Sequence, residues 1–104
     1  MEVVYVPKAA QFIQDLPNPL DARTKKTLDL LEALGHTLRM PYSRSIARNL
    51  FELRVLGAVQ VRLLYCFHNN QAIILHALIK KRNALSAKDI AHARAVQKEV
   101  LADV

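Results

Sequence analysis

The sequence predicts an α+β domain in the order β-α-α-β-β-β-α, with a helical hairpin and a C-terminal helix packed on a mostly antiparallel four-stranded sheet. Three observations lead there. Leu50 to Arg82 falls into three successive stretches with the apolar patterns of strands, punctuated by Gly57 and by Asn69-Asn70. The first third of the chain places apolar residues at helical spacing, interrupted by Pro17 and stopped by Gly35. From Leu85 onward a helix-start signature is followed by one more helical stretch.

Glu2 to Val6 reads as a short strand that Pro7 stops, and the same proline suits the first turn of a helix. Lys8 to Leu16 is that helix, with Ala9, Phe12, Ile13 and Leu16 on one face. Asn18-Pro19-Leu20-Asp21 starts a second one, with an Asn cap, a proline at the first helical position and an acid in the first turn. It runs to about Leu34 with Leu20, Thr24, Thr27, Leu28, Leu31 and Leu34 inward, and Gly35 ends it. His36 to Asn49 has no clean period and reads as a basic connector.

Phe51, Leu53 and Val55 alternate with Glu52 and Arg54, the mark of a half-buried strand, and Val59 to Phe67 continues the alternation. Ala72 to Ile79 is a nearly continuous apolar run, as a strand covered on both faces requires. Ser86 caps the last helix with Asp89 three residues on, and Leu85 with Ile90 forms a hydrophobic staple. Ile90, Ala93, Val96, Val100 and Leu101 then share the side that covers the second sheet face.

Register follows from the same pattern. The apolar faces of the first hairpin coincide only if its loop has an odd number of residues. Pairing Leu56 with Gln60 satisfies this and sets Arg54 opposite Arg62. Like charges directly opposite destabilise a sheet, so two facing arginines imply an anion between them. A two-residue Asn69-Asn70 turn of the primed type pairs His68 with Gln71 and Tyr65 with Ile74. Carried along the strand, that register puts Lys81 on the face of Arg54 and Arg62 and turns His76 to the opposite face. A one-residue slip exchanges Lys81 for His76 and Lys80.

A chain of 104 residues, 52% of them hydrophobic, supports one domain spanning 1–104 with a single modest core. No apolar run has membrane-spanning length and no leader pattern is visible, so a cytoplasmic protein without membrane contact is expected. The single cysteine, Cys66, lies mid-strand and reads as a small buried hydrophobe. The net charge of +6 is concentrated. Between His36 and Lys88 the basic residues are Arg39, Arg44, Arg48, Arg54, Arg62, Lys80, Lys81, Arg82 and Lys88, and the only acid is Glu52. A basic centre of this kind implies a polyanionic partner, a nucleic acid or an acidic protein segment.

The four histidines have no ligand-like spacing, no cysteine pair exists and two glycines cannot make a phosphate loop, so no metal or cofactor is expected. What remains is a cluster of arginine and lysine on one sheet face. Such a cluster suits cleavage of RNA: the 2′-hydroxyl attacks the adjacent phosphate, cations stabilise the charge that develops, and a lysine of lowered pKa takes the proton.

The element order, the segment Asn49-Leu50-Phe51-Glu52-Leu53-Arg54, the segment Val61-Arg62-Leu63-Leu64-Tyr65 and the strand Ile73-Ile74-Leu75-His76-Ala77-Leu78-Ile79-Lys80-Lys81-Arg82 together resemble the RelE/ParE superfamily of toxins, most of all its phage-derived, HigB-like branch. The resemblance covers nearly the whole chain. It implies a RelE-like fold and a toxin of a type II toxin–antitoxin system. Such a toxin is an mRNA endonuclease, or mRNA interferase, that acts on the translating ribosome, inhibits translation and is held inactive by a cognate helix-turn-helix antitoxin.

By position, the resemblance makes Arg62 the contact to the scissile phosphate and Arg54 the basic end of the preceding strand. Lys81 and Arg82 correspond to the basic pair that stabilises the transition state. Arg39, Arg44, Arg48, Lys80 and Lys88 are the remaining candidates for RNA contact. The chain departs from the pattern at three points. Val61 stands where an aromatic is usual, Arg82-Asn83-Ala84-Leu85-Ser86 replaces a Thr/Lys/Pro-rich turn, and no tyrosine follows Tyr65. Lys88 and His92 occupy the region where a proton-transfer group is expected, and the identity of that group stays open.

Two other readings keep the fold. A ParE-like toxin would inhibit DNA gyrase by binding, without cutting RNA. A decayed toxin would retain salt-dependent nucleic-acid binding and no catalysis.

Overall fold

The chain runs β1 (Glu2–Tyr5), α1 (Pro7–Gln14), α2 (Leu20–Leu34), β2 (Ser43–Ala47), β3 (Leu50–Val55), β4 (Val61–His68), β5 (Gln71–Ile79) and α3 (Ala87–Ala102), in a computed structural model that describes residues 1–81 and 83–102. The fold is α+β and RelE-like, as the sequence predicts, but the sheet has five strands, in the order β1-β5-β4-β3-β2. β1 lies parallel to β5 and the other neighbours are antiparallel.

The extra strand, β2, corrects the reading of His36 to Asn49 as a connector. Its residues Ser43, Arg44 and Ser45 pair with Leu53, Glu52 and Phe51, and a bulge follows at Ser45/Ala47. Short polar side chains on an edge strand leave no apolar alternation to detect, and the pairing is secured by the cross-strand match of Arg44 to Glu52.

α1 and α2 cover one sheet face, where Leu28, Leu31, Leu53, Leu63, Tyr65 and Ile74 form the larger core. α3 covers the other, where Ala93 meets Leu50, Leu64, Cys66, Ile73 and Leu75. Two covered faces explain the nearly continuous apolar run of β5. Each fully buried leucine or isoleucine stabilises the fold by about 1.5–3 kcal/mol. The capping of α3 is as predicted: Ser86 Oγ accepts from the Asp89 N–H at 3.1 Å and donates to its carboxylate at 2.6 Å.

α2 differs at both ends. It begins at Leu20 with no side-chain cap, because the Asn18 amide sits against the Asp21 carboxylate instead. At the other end Leu34 is exposed rather than inward, since Gly35, at φ +52°, turns the chain into a short 3-10 segment (Gly35–Thr37). No helix among the described residues is long and apolar enough to cross a membrane.

Both hairpin registers are as predicted at their turns. Arg54 faces Arg62, and Tyr65 faces Ile74 across an Asn69-Asn70 turn with φ +49° and +59°. The prediction fails further along β5. A bulge at Leu64/Tyr65 leaves Leu75 unpaired and sets Leu64 opposite His76 and Arg62 opposite Leu78. One extra residue exchanges the faces of everything beyond it. His76 and Lys80 therefore take the face of Arg54 and Arg62, in place of Lys81.

Candidate active site

The end of β3 and the start of β4 place Arg54 and Arg62 side by side on the face that α3 covers only in part. The anion that their pairing implies is supplied by the chain. Glu52, two residues before Arg54 on the same face, is 0% exposed. Its Oε1 lies 3.1 Å from Arg44 Nη2 and 3.9 Å from Arg54 Nε, and its Oε2 lies 3.5 Å from Arg62 Nε. The sequence marks Glu52 as the only acid of its span but does not assign it the role of counter-ion. Its signal is that it stands alone among nine basic residues and alternates with Arg54.

Arg62 is the deepest cation, 2% exposed. Its Nη1 donates to the Val61 carbonyl at 2.9 Å, and its Nη2 donates to Gln60 Oε1. Burial pushes its pKa down from the ordinary arginine value; Glu52 opposes the shift, while Arg54 and Arg44 add to it. Arg54 is partly exposed and steadied by the connector, its Nη1 donating to the Pro41 carbonyl at 3.2 Å.

The β5 bulge brings Lys80 to this pair. Its backbone N–H donates to the Gln60 carbonyl at 2.7 Å, and its Nζ donates to the Asn83 carbonyl at 3.0 Å. Desolvation lowers its pKa below that of an ordinary lysine. Arg62 lowers it further, Glu52 opposes, and Arg54 and Arg44 add to the lowering. Lys81 is exposed at the rim. Arg54, Gln60, Arg62, Lys80, Lys81 and Asn83 line one open basin of about 320 Å³. A second cleft of about 460 Å³ adjoins it, sharing Lys80 and Lys81 and reaching Leu85, Ser86 and Asp89 of the α3 start.

The other predicted residues are spread out. Arg44 flanks the basin on β2, half exposed, and faces Glu52. Arg39 lies in the connector, where its Nη1 donates to the His36 carbonyl at 2.9 Å, beside a different cleft. Arg48 sits exposed in the turn between β2 and β3, at the end of the strands opposite to the basin. Lys88 is exposed in the first turn of α3. Arg82 lies outside the described residues.

His76, on the basin face of β5, and His92, on α3, stand with ring centroids 4.7 Å apart, and His76 Nε2 meets Asp89 Oδ1 at 2.8 Å. Burial alone would raise the Asp89 pKa; the hydrogen bonds from Ser86 and His76, and the nearby His76 and His92 rings, outweigh it and hold the carboxyl below its usual range. The group fastens the start of α3 to β5.

Five cations around one buried carboxylate leave the basin positive, with a lysine whose amine gives up its proton more readily than usual. That arrangement can hold a phosphodiester and take a proton from a neighbouring hydroxyl. A search of curated proteins finds no match to the chain. The model of the family described as Phage derived protein Gp49-like (DUF891), a RelE-type, toxin-like family, matches residues 11–98. Since the match spans well over half of the chain and the fold agrees with it, the protein belongs to the phage-derived Gp49-like family.

Proposed function

We propose that this protein is the toxin of a type II toxin–antitoxin system, HigB-like in kind, and that it cleaves messenger RNA on the translating ribosome. The observation that carries the proposal is the position of Lys80. A β-bulge delivers it to a basin already lined by Arg54 and Arg62, where burial and the surrounding cations lower its pKa.

In this reading Arg54 and Lys81 hold the scissile phosphate. Lys80, unprotonated, takes the proton of the 2′-hydroxyl as its oxygen attacks phosphorus, and the 5′-oxygen leaves with a proton taken from water. Arg62 acts from beneath, where low exposure strengthens its field on the charge that develops. Gln60, at the rim, gives way to the phosphate. The basic surface also suits an acidic antitoxin segment that orders on binding. A neighbouring reading frame for a small helix-turn-helix protein is the expected genetic context.

The test is inducible expression with and without that frame. Wild-type protein alone should stop growth and translation, and co-expression of the neighbour should relieve it. Lys80→Gln should remove toxicity while leaving the fold intact, since among the described residues the side chain hydrogen-bonds the Asn83 carbonyl alone. A folded Lys80→Gln variant of full toxicity defeats the proposed chemistry.

One observation favours a second reading. Arg62 already donates to Val61 and Gln60 and lies 3.5 Å from the Glu52 carboxylate, as it would in a purely structural cluster. A ParE-like binder of gyrase would then show intact messages and a DNA-damage response on induction.

A further inference from the structure

The opposite face of the same sheet carries a cleft that the basin chemistry does not use. Phe51, Tyr65 and Phe67, from β3 and β4, contact one another with ring centroids 5.2–5.5 Å apart. α2 ends at Leu34, so the helical layer stops short of them. Tyr65 is buried at the floor, its hydroxyl bonded to Ser43 Oγ at 2.5 Å, while Phe51 and Phe67 keep part of their surface in solvent. The exposed His36 ring leans over Phe67 at 3.9 Å with 37° between the planes. Arg39 is pinned at the rim by its bond to the His36 carbonyl. The cleft encloses about 280 Å³, close to the lower end of small-ligand sites.

We propose that this cleft takes one unpaired nucleobase of an RNA strand whose phosphate lies in the basin on the other face. The aromatic floor offers a stacking surface that tolerates any base, and Arg39 offers a cation to the attached phosphate. The route between the two sites is short. Arg44 and Ser45 are consecutive in the edge strand β2; Arg44 reaches Glu52 on the basin side and Ser45 lines the cleft. A single strand that rounds this edge meets Arg44 on the way. An acidic rim would have pointed to a different occupant; here the charged side chain lining the cleft is an arginine, which matches a polyanion. The proposal rests on the reading of the protein as an RNA binder and is independent of whether it cuts.

The test uses an uncleavable 2′-O-methyl RNA 12-mer with 2-aminopurine placed at successive positions, a base whose fluorescence falls when it stacks. With wild-type protein the signal should be quenched at one position. Phe67→Ala should weaken binding about 5- to 150-fold, the range for one stacked base, and abolish the quench. Phe67→Tyr should restore both. Arg39→Gln should keep the quench and lower the salt slope of binding by about one.

Thermal melts verify that each variant is folded; Phe67 is partly buried and packs against the larger core, and Phe67→Tyr is the variant that keeps this packing. A folded Phe67→Ala protein that binds and quenches like wild type overturns the proposal and leaves the cleft to a protein partner. Lys80→Gln separates the two claims. Loss of toxicity with the quench retained supports both. A toxic wild type that never quenches the probe overturns only the base pocket, and a quenched probe with uncut messages overturns only the nuclease.

Discussion

Glu52→Gln tests the basin at its foundation. The substitution keeps the side-chain shape and removes the charge that three arginines share at 3.1–3.9 Å. Arg44 and Arg54 reach water and lose little, but Arg62 is 2% exposed and becomes a buried cation without a counter-charge. Breaking a buried pair in this way costs about 3–5 kcal/mol. With an unfolding entropy of about 2.1 cal/mol/K per residue over 104 residues, that is a fall in Tm of about 14–23 °C.

Circular-dichroism melts and urea titrations measure it. The double variant Glu52→Leu with Arg62→Met, which replaces the pair by apolar groups of similar volume, should recover most of the loss. A Glu52→Gln protein within about 0.5 kcal/mol of wild type refutes the claim that this carboxylate holds the cluster.

Three further predictions follow from the same geometry. If unprotonated Lys80 is the base, single-turnover cleavage of ribosome-bound message should rise with pH and level off below the ordinary lysine pKa. Arg44→Gln, which removes one of the cations lowering it, should move the profile to higher pH. Asp89 is held below its unfolded value of about 3.9, so its contribution is complete above that pH and is lost as pH falls through the folded value. Asp89→Asn, which weakens the bonds to Ser86 and His76, should therefore cost about 1 kcal/mol at neutral pH, and its stability curve should meet that of wild type in acid. The Cys66 thiol is buried and its pKa raised by that burial, so Ellman's reagent should leave it untouched in native protein at neutral pH and react with one thiol per chain after unfolding.

The elements visible in the sequence are those in which polar residues alternate with apolar ones or in which a turn or cap residue marks an end. The alternation of β3 and β4 gave the Arg54–Arg62 pairing, and Asn69-Asn70 gave the turn, because period and turn chemistry act locally. β2 was hidden because Ser43, Arg44 and Ser45 leave no apolar alternation, even though Ser43 is buried against Tyr65. The bulge at Leu64/Tyr65 was hidden because β5 is apolar on both faces: in a run from Ala72 to Ile79 a shift of one residue leaves the apolar pattern nearly unchanged. That shift decides whether Lys80 or Lys81 faces the arginines, so the strand carrying the amine was the one whose register the sequence specified least. The burial of Glu52 was hidden for a related reason. A lone acid in an alternating strand reads as solvent-facing, and only the sheet reveals that Arg44 arrives from β2 to bury it.

The most direct measurement of the central claim is the chemistry of message ends after brief induction. Attack by the 2′-hydroxyl leaves a cyclic phosphate on one fragment and a 5′-hydroxyl on the other, whereas hydrolysis by an activated water at the other bond leaves a 5′-phosphate. Mapping by ligation that captures only 5′-hydroxyl ends should show new cuts within translated frames for wild-type protein and none for Lys80→Gln. Cuts that carry 5′-phosphates, or messages that stay whole while growth stops, would contradict a phosphate-holding basin with lysine as its base.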